Sequence, residues 1–202
     1  MSERVDLGPC AGLRHDGDPA RCTVLLPGMV YPTRAPVLWF ARETALAHGW
    51  SALEVLGEPG DHGDPIEWQR AAAAAALAAA GSAQVLVIGK SLATLLAGHV
   101  SDLDLPAVWL TPALTEPAVG EGLARARRAT VVMGGSADHF WRPEAIPSNP
   151  ALEVVELPGL DHALQLPGDP LASVDALRQV MEAVQRMVAP SPTEAAPPPG
   201  SS

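Results

Sequence analysis

A chain of 202 residues has room for one domain with a substantial core. With 48% hydrophobic and 18% charged residues it is composed as a globular protein, which excludes a disordered one. A formal net charge of -10 argues against nucleic acid and anionic membrane surfaces as partners, since both draw basic patches.

Two cysteines, Cys10 and Cys22, make no disulfide framework, and no CxxC or Cys/His spacing points to a metal. Residues 1–6 lack the basic and apolar regions of a signal peptide. No apolar run reaches the roughly 18 residues of a membrane span. The expectation is a cytoplasmic protein with free thiols. A single lysine, Lys90, stands among thirteen basic residues; coding bias explains that scarcity, and the sequence assigns Lys90 no role.

Residues 23–26 form a short apolar strand ending at Pro27-Gly28. Residues 35–48 read as a helix closed by Gly49 at the C′ position. Residues 52–56 give the next strand, followed by a Gly/Pro/Asp loop over 57–64 in which Asp61-His62 is a solvated segment rather than a metal cluster. Asp64 can cap the following helix, Pro65 fits its first turn, and Glu67 can reach back to the cap amide. The alanine run 71–80 has high helix propensity and stops at Gly81. Residues 85–88 are wholly apolar, as in a central parallel strand buried on both faces. A helix is expected over 92–100, a strand over 106–110, a helix over 120–128, and a strand over 130–133 ending in Gly134-Gly135. The last strand is 152–157. The last helix covers 170–188, with Asp169 as its cap and Val174, Leu177, Met181, Val184 and Val188 as the stripe facing the sheet. Residues 190–202, rich in Pro, Ser, Gly and Ala, read as a disordered tail behind a single domain over 1–189.

Strands separated by helices imply an α/β fold with a mainly parallel twisted sheet and helices on both faces. Ligands of such sheets bind beyond the carboxyl ends of the strands. Ser91, Asp138 and His162 each lie just after a strand, in the chain order of a Ser, acid, His triad. Ser91 would attack an acyl carbon, His162 would act as general base and then acid, and Asp138 would orient His162. Asp161, adjoining His162, reads as a loop-shaping residue. The oxyanion needs two convergent N–H groups, expected from Leu92 and from Met29 in the loop after Pro27-Gly28. Gly89-Lys90-Ser91 also looks like the end of a phosphate-binding loop, but that motif needs glycine where Gln84 stands.

Together, Leu26-Pro27-Gly28, Gly89-Lys90-Ser91-Leu92-Ala93, Gly134-Gly135-Ser136-Ala137-Asp138 and Asp161-His162 resemble the α/β-hydrolase superfamily. More narrowly, the chain is similar to its compact, capless serine hydrolases of the dienelactone-hydrolase-like type. Ala93 departs from the commoner GxSxG pattern. The resemblance implies the fold and carries the triad roles to Ser91, Asp138 and His162. It does not imply a substrate. Only residues 111–119 separate a strand from the next helix where larger relatives insert a lid, so no cap domain is expected. Val30, Tyr31, Leu114, Trp141 and Leu164 would border a partly apolar, open acyl pocket. The expected activity is that of a serine esterase or thioesterase on a small to medium acyl substrate, without cofactor or metal. An acyltransferase, lyase or cyclase using the same residues, or a non-catalytic binding scaffold, remains open, as does the oligomeric state.

Overall fold

The computed structural model describes residues 1–57, 59 and 63–189. The expected tail over 190–202 and the Asp61-His62 segment lie outside the described residues. Among the described residues, eight strands form one sheet: β1 (Ser2–Asp6), β2 (Ala11–His15), β3 (Asp18–Leu26), β4 (Trp50–Leu56), β5 (Gln84–Lys90), β6 (Ala107–Leu110), β7 (Thr130–Gly135) and β8 (Leu152–Leu157). Their spatial order is β1-β2-β4-β3-β5-β6-β7-β8. β1, β2 and β4 pair antiparallel, and every other pairing is parallel.

The central strands are apolar throughout because both faces are covered, and successive side chains go to opposite layers. Val24, Leu26, Val87, Trp109 and Val132 pack on one face with α2 (Pro65–Ala80), α3 (Ala97–Asp102) and α4 (Pro117–Ala124). Leu25, Leu86, Ile88, Leu110 and Met133 pack on the other with α1 (Pro36–Ala47) and α5 (Pro170–Val188). The caps follow local chemistry. Asp64 accepts from the N–H groups of Ile66 and Glu67, and Gly81 ends α2 at φ 60°. Glu67 does not reach back to the cap; its carboxylate meets Arg70 at 3.2 Å. Asp169 accepts from Ala172 N–H at the start of α5.

Several sequence expectations change. The β1–β2 hairpin was not expected. Its strands, SERVD and AGLRH, are short and mostly polar, and a buried cluster holds them to the sheet: Glu54 on β4 meets His15 of β2 at 2.6 Å and Arg42 of α1 at 2.7 Å. β3 starts at Asp18 rather than at residue 23. The helix expected over 92–100 is a 3-10 segment, Ser91–Leu96, running into the short α3. The buried face of α5 is Ala176, Val180, Ala183, Val184 and Val188, so the stripe is rotated; Val174 is 60% exposed, and Leu177 and Met181 are only partly buried. Two alanines let the helix sit close to the sheet, and the longer side chains fall on the flank.

The order of the strands positions the site. The chain passes from β3 through α1 to β4 on one side, then returns through α2 on the other face to β5. The carboxyl ends of β3 and β5 therefore border the point where the winding reverses, which is where open α/β sheets bind ligands. Among the described residues, no helix is long and apolar enough to cross a membrane.

Candidate active site

Ser91 follows Lys90, the last residue of β5, on a sharp turn with φ 53°, a left-handed conformation costly for a residue with a Cβ. The turn fits because Gly89 has no side chain: a Cβ there would stand 2.6 Å from the Trp109 ring and 3.1 Å from the Ala93 methyl. Ala93 is fully buried in that space, so alanine in place of the commoner glycine is accommodated. A Cβ on Gly28 would lie 3.4 Å from Ser91 Cβ, so the loop after β3 packs directly on the serine.

Two loops bring the other residues to Ser91. Beyond β7, Ser136 N–H donates to Leu157 O at 3.0 Å and Ala137 N–H to Leu160 O at 3.0 Å, joining the β7 loop to the β8 loop. Gly135 permits this approach, since a Cβ there would be 2.1 Å from Leu160 O. Beyond β8, Asp161 accepts from Ala163 N–H at 2.8 Å and Gln165 N–H at 3.0 Å, shaping the loop that carries His162. The result is a continuous hydrogen-bonded chain: Ser91 Oγ lies 2.8 Å from His162 Nε2, and His162 Nδ1 lies 2.7 Å from Asp138 Oδ2. With the carboxylate ionised, Nδ1 carries the proton and Nε2 is left to accept from the serine hydroxyl. Burial pushes the Asp138 carboxyl up. The bonds from His162 and from Phe140 N–H outweigh it and hold the carboxyl below the usual range.

The chain opens into a cavity of about 440 Å³ lined by Met29, Val30, Tyr31, Ile66, Lys90, Ser91, Leu92, Leu95, Ala113, Glu116, Phe140 and His162. The Leu92 N–H falls in the first turn of the 3-10 segment, where backbone donors lack partners within the helix. Leu114 and Trp141 do not line this cavity. Both are core residues: Trp141 lies against Gly134, where a Cβ would be 2.1 Å from its ring, and donates to Glu156 at 2.6 Å. Its neighbour Phe140 faces the cavity instead. Leu164 lines a second cavity of about 380 Å³ between α1 and the start of α5, separated from the first by Tyr31. Tyr31 is fixed in that position because its Oη accepts from Val37 N–H at 3.1 Å, standing in for the cap that Ala35 cannot supply.

Lys90 went unassigned in the sequence. Its side chain is 1% exposed, and Nζ donates to Thr111 Oγ1 at 2.7 Å and to the His162 carbonyl at 2.6 Å. Nζ also lies 4.6 Å from the centre of the Tyr31 ring. Burial lowers its pKa to about 8, against the opposing pull of Asp138 and Asp161. A side chain anchored in this way is not free to cradle a phosphate.

No protein-family model and no curated protein matches the sequence. Solved structures do match over nearly the whole chain. The esterase domain of a Rhodothermus marinus protein aligns with a TM-score of 0.67 at 14% identity, covering 93% of this chain and 96% of that one. A serine α/β hydrolase without a lid from Xanthomonas campestris aligns with a TM-score of 0.66 at 13% identity, over 95% of this chain and 96% of that one. An α/β serine hydrolase homologue from Coxiella burnetii gives 0.66 at 12%, over 94% and 97%. The architecture is thus the α/β-hydrolase fold without a cap: six residues, 111–116, connect β6 to α4.

Proposed function

We propose that this chain, built on a capless α/β-hydrolase fold, is a serine hydrolase that cleaves the ester or thioester of a small to medium acyl group. The observation that carries the reading is the Ser91–His162–Asp138 chain, with both links within 2.8 Å. Ser91 Oγ attacks the acyl carbon while His162 Nε2 takes its proton. Asp138 fixes the His162 tautomer and stabilises the imidazolium that forms. The N–H groups of Leu92 and Met29 bind the developing oxyanion. His162 then protonates the leaving group, and water, activated by the same histidine, releases the acyl group.

The apolar lining by Val30, Tyr31, Leu95 and Phe140 favours a neutral, largely hydrocarbon acyl group over an anionic one, and Glu116 at the rim repels anions further. Without a lid, the acyl-enzyme faces solvent, which favours hydrolysis over transfer to another nucleophile. The test is labelling of the protein by an active-site fluorophosphonate. The wild type is expected to add one phosphonyl group on Ser91, and Ser91→Ala none. Equal labelling of the two, or no labelling of a folded wild type, refutes the assignment.

A further inference from the structure

Among the described residues, four non-glycine residues have positive φ: Ser91 at 53°, Thr111 at 44°, Leu164 at 60° and Asp104 at 56°. Such conformations persist only where the surroundings over-determine them, and Thr111, being β-branched, is the most demanding. Three of the four surround one side chain. Ser91 adjoins Lys90, Thr111 accepts from its Nζ, and Leu164 lies two residues beyond His162, whose carbonyl accepts from the same Nζ. The Tyr31 ring supplies a further partner. One ammonium thus joins the loops at the carboxyl ends of β3, β5, β6 and β8. A buried lysine is costly, and a purely structural link between these loops could be made by apolar packing at lower cost.

We propose that Lys90 is the positioning residue of this site: its ammonium draws the His162 loop, Thr111 and Tyr31 onto the end of β5 and so holds His162 in line with Ser91 and Asp138. The hydrogen bond to the His162 backbone carbonyl fixes the histidine's main chain, while Asp138 fixes its ring. The charged groups around the ammonium are Asp138 from the β7 loop and Asp161 from the β8 loop, with His162 and Tyr31 as titratable neighbours and Glu116 lining the cavity from the start of α4. The two aspartates favour the charged form, and burial opposes it. On losing its proton near pH 8 the amine keeps two N–H donors, but its attraction to the Tyr31 ring and to both carboxylates goes.

On the serine-hydrolase reading, on which this inference rests, kcat of the wild type falls on the alkaline side with a midpoint near pH 8. The measurements are pH profiles of kcat and KM on a short-chain nitrophenyl ester, with the downfield Nδ1–H proton resonance of His162 as a readout independent of turnover. Lys90→Met is expected to lose about a hundredfold in kcat with little change in KM, to lack the limb near pH 8, and to lose the downfield resonance. Thr111→Val, close to isosteric, removes an acceptor of the charged form and moves the alkaline limb to lower pH; Thr111→Ser restores it. Should Lys90→Met not fold, the Thr111 pair carries the test. Wild-type kcat with an unmoved limb in Lys90→Met or Thr111→Val overturns the role of Lys90. A wild type inert to esters and fluorophosphonate overturns the hydrolase reading alone; the His162 resonance then decides the positioning role, which stands if Lys90→Met loses it and falls if Lys90→Met keeps it.

Discussion

Replacing Lys90 by methionine isolates the energetic cost of burying its charge. The folded chain holds the Lys90 proton with a pKa of about 8, against 10.5 for an ordinary lysine. Since one pKa unit corresponds to about 1.4 kcal/mol, the fall amounts to ~3 kcal/mol of folding stability. The sign follows from proton binding. Between about pH 8 and 10.5 the unfolded chain binds the more protons, so stability rises with pH across that window. Below it the full cost is present, and above it the cost is gone. Lys90→Met has no such dependence. It leaves Thr111 Oγ1 and the His162 carbonyl without their donor, at about 1–3 kcal/mol each, but that loss is nearly the same at every pH. Cys10 and Cys22, whose pKa values burial raises, titrate alike in both proteins and cancel, and Tyr31, raised by burial above the ordinary tyrosine value, titrates at the alkaline end of the range. The assay is urea unfolding of both proteins, followed by tryptophan fluorescence from about pH 7 to about pH 11. Wild type is expected to gain ~3 kcal/mol relative to the variant over that range. A difference that stays flat, or that moves the other way, refutes the claim that Lys90 is buried as a strained cation.

Two further substitutions test the frame around Ser91. Asp138→Asn is expected to reduce kcat on an ester by about 10⁴-fold, because the amide supports the wrong His162 tautomer. The same variant should show a flatter acid unfolding profile. The depressed carboxyl adds stability above the ordinary aspartate range, and that stability is lost as pH falls through its lower folded pKa. Gly134→Ala drives a methyl into the Trp141 ring and is expected to cost about 1–3 kcal/mol, seen as a lower thermal midpoint together with weaker fluorophosphonate labelling as the Asp138 loop shifts.

What the sequence revealed depended on whether a local pattern matched the surroundings. Residues 85–88 were legible as a buried strand because both faces are apolar, and β5 contains them. Ser91, Asp138 and His162 could be picked out together because each follows a strand that was itself legible. The β1–β2 hairpin was not, since its strands carry charges and their attachment depends on Glu54 and Arg42, distant in sequence. The α5 face was misjudged because Leu177 and Met181 outweigh alanine in a hydrophobic pattern, although Ala176 and Ala183 make the closer fit. Trp141, expected at the pocket, lies in the core for a reason invisible in the residue itself: the bare Gly134 backbone makes room for its ring there, and Phe140, given no place by the sequence, faces the cavity. Lys90 gave no signal because its acceptors are 21 and 72 residues away.

The two ends of the sheet bear on association between molecules. Among the described residues, β1 and β8 each have one neighbour, so each leaves a row of backbone donors and acceptors open to another strand. β1 presents Glu3, Arg4 and Asp6, and β8 carries Glu153, paired with Arg186, and Glu156, which accepts from Trp141, beside the exposed Val154. Two copies approaching β8 to β8 would bring carboxylates together in molecules that each carry a net charge of -10. Charge at the rims thus guards a very apolar sheet against growth by strand addition, and high salt or low pH, which weakens that guard, is where fibrillar association would begin.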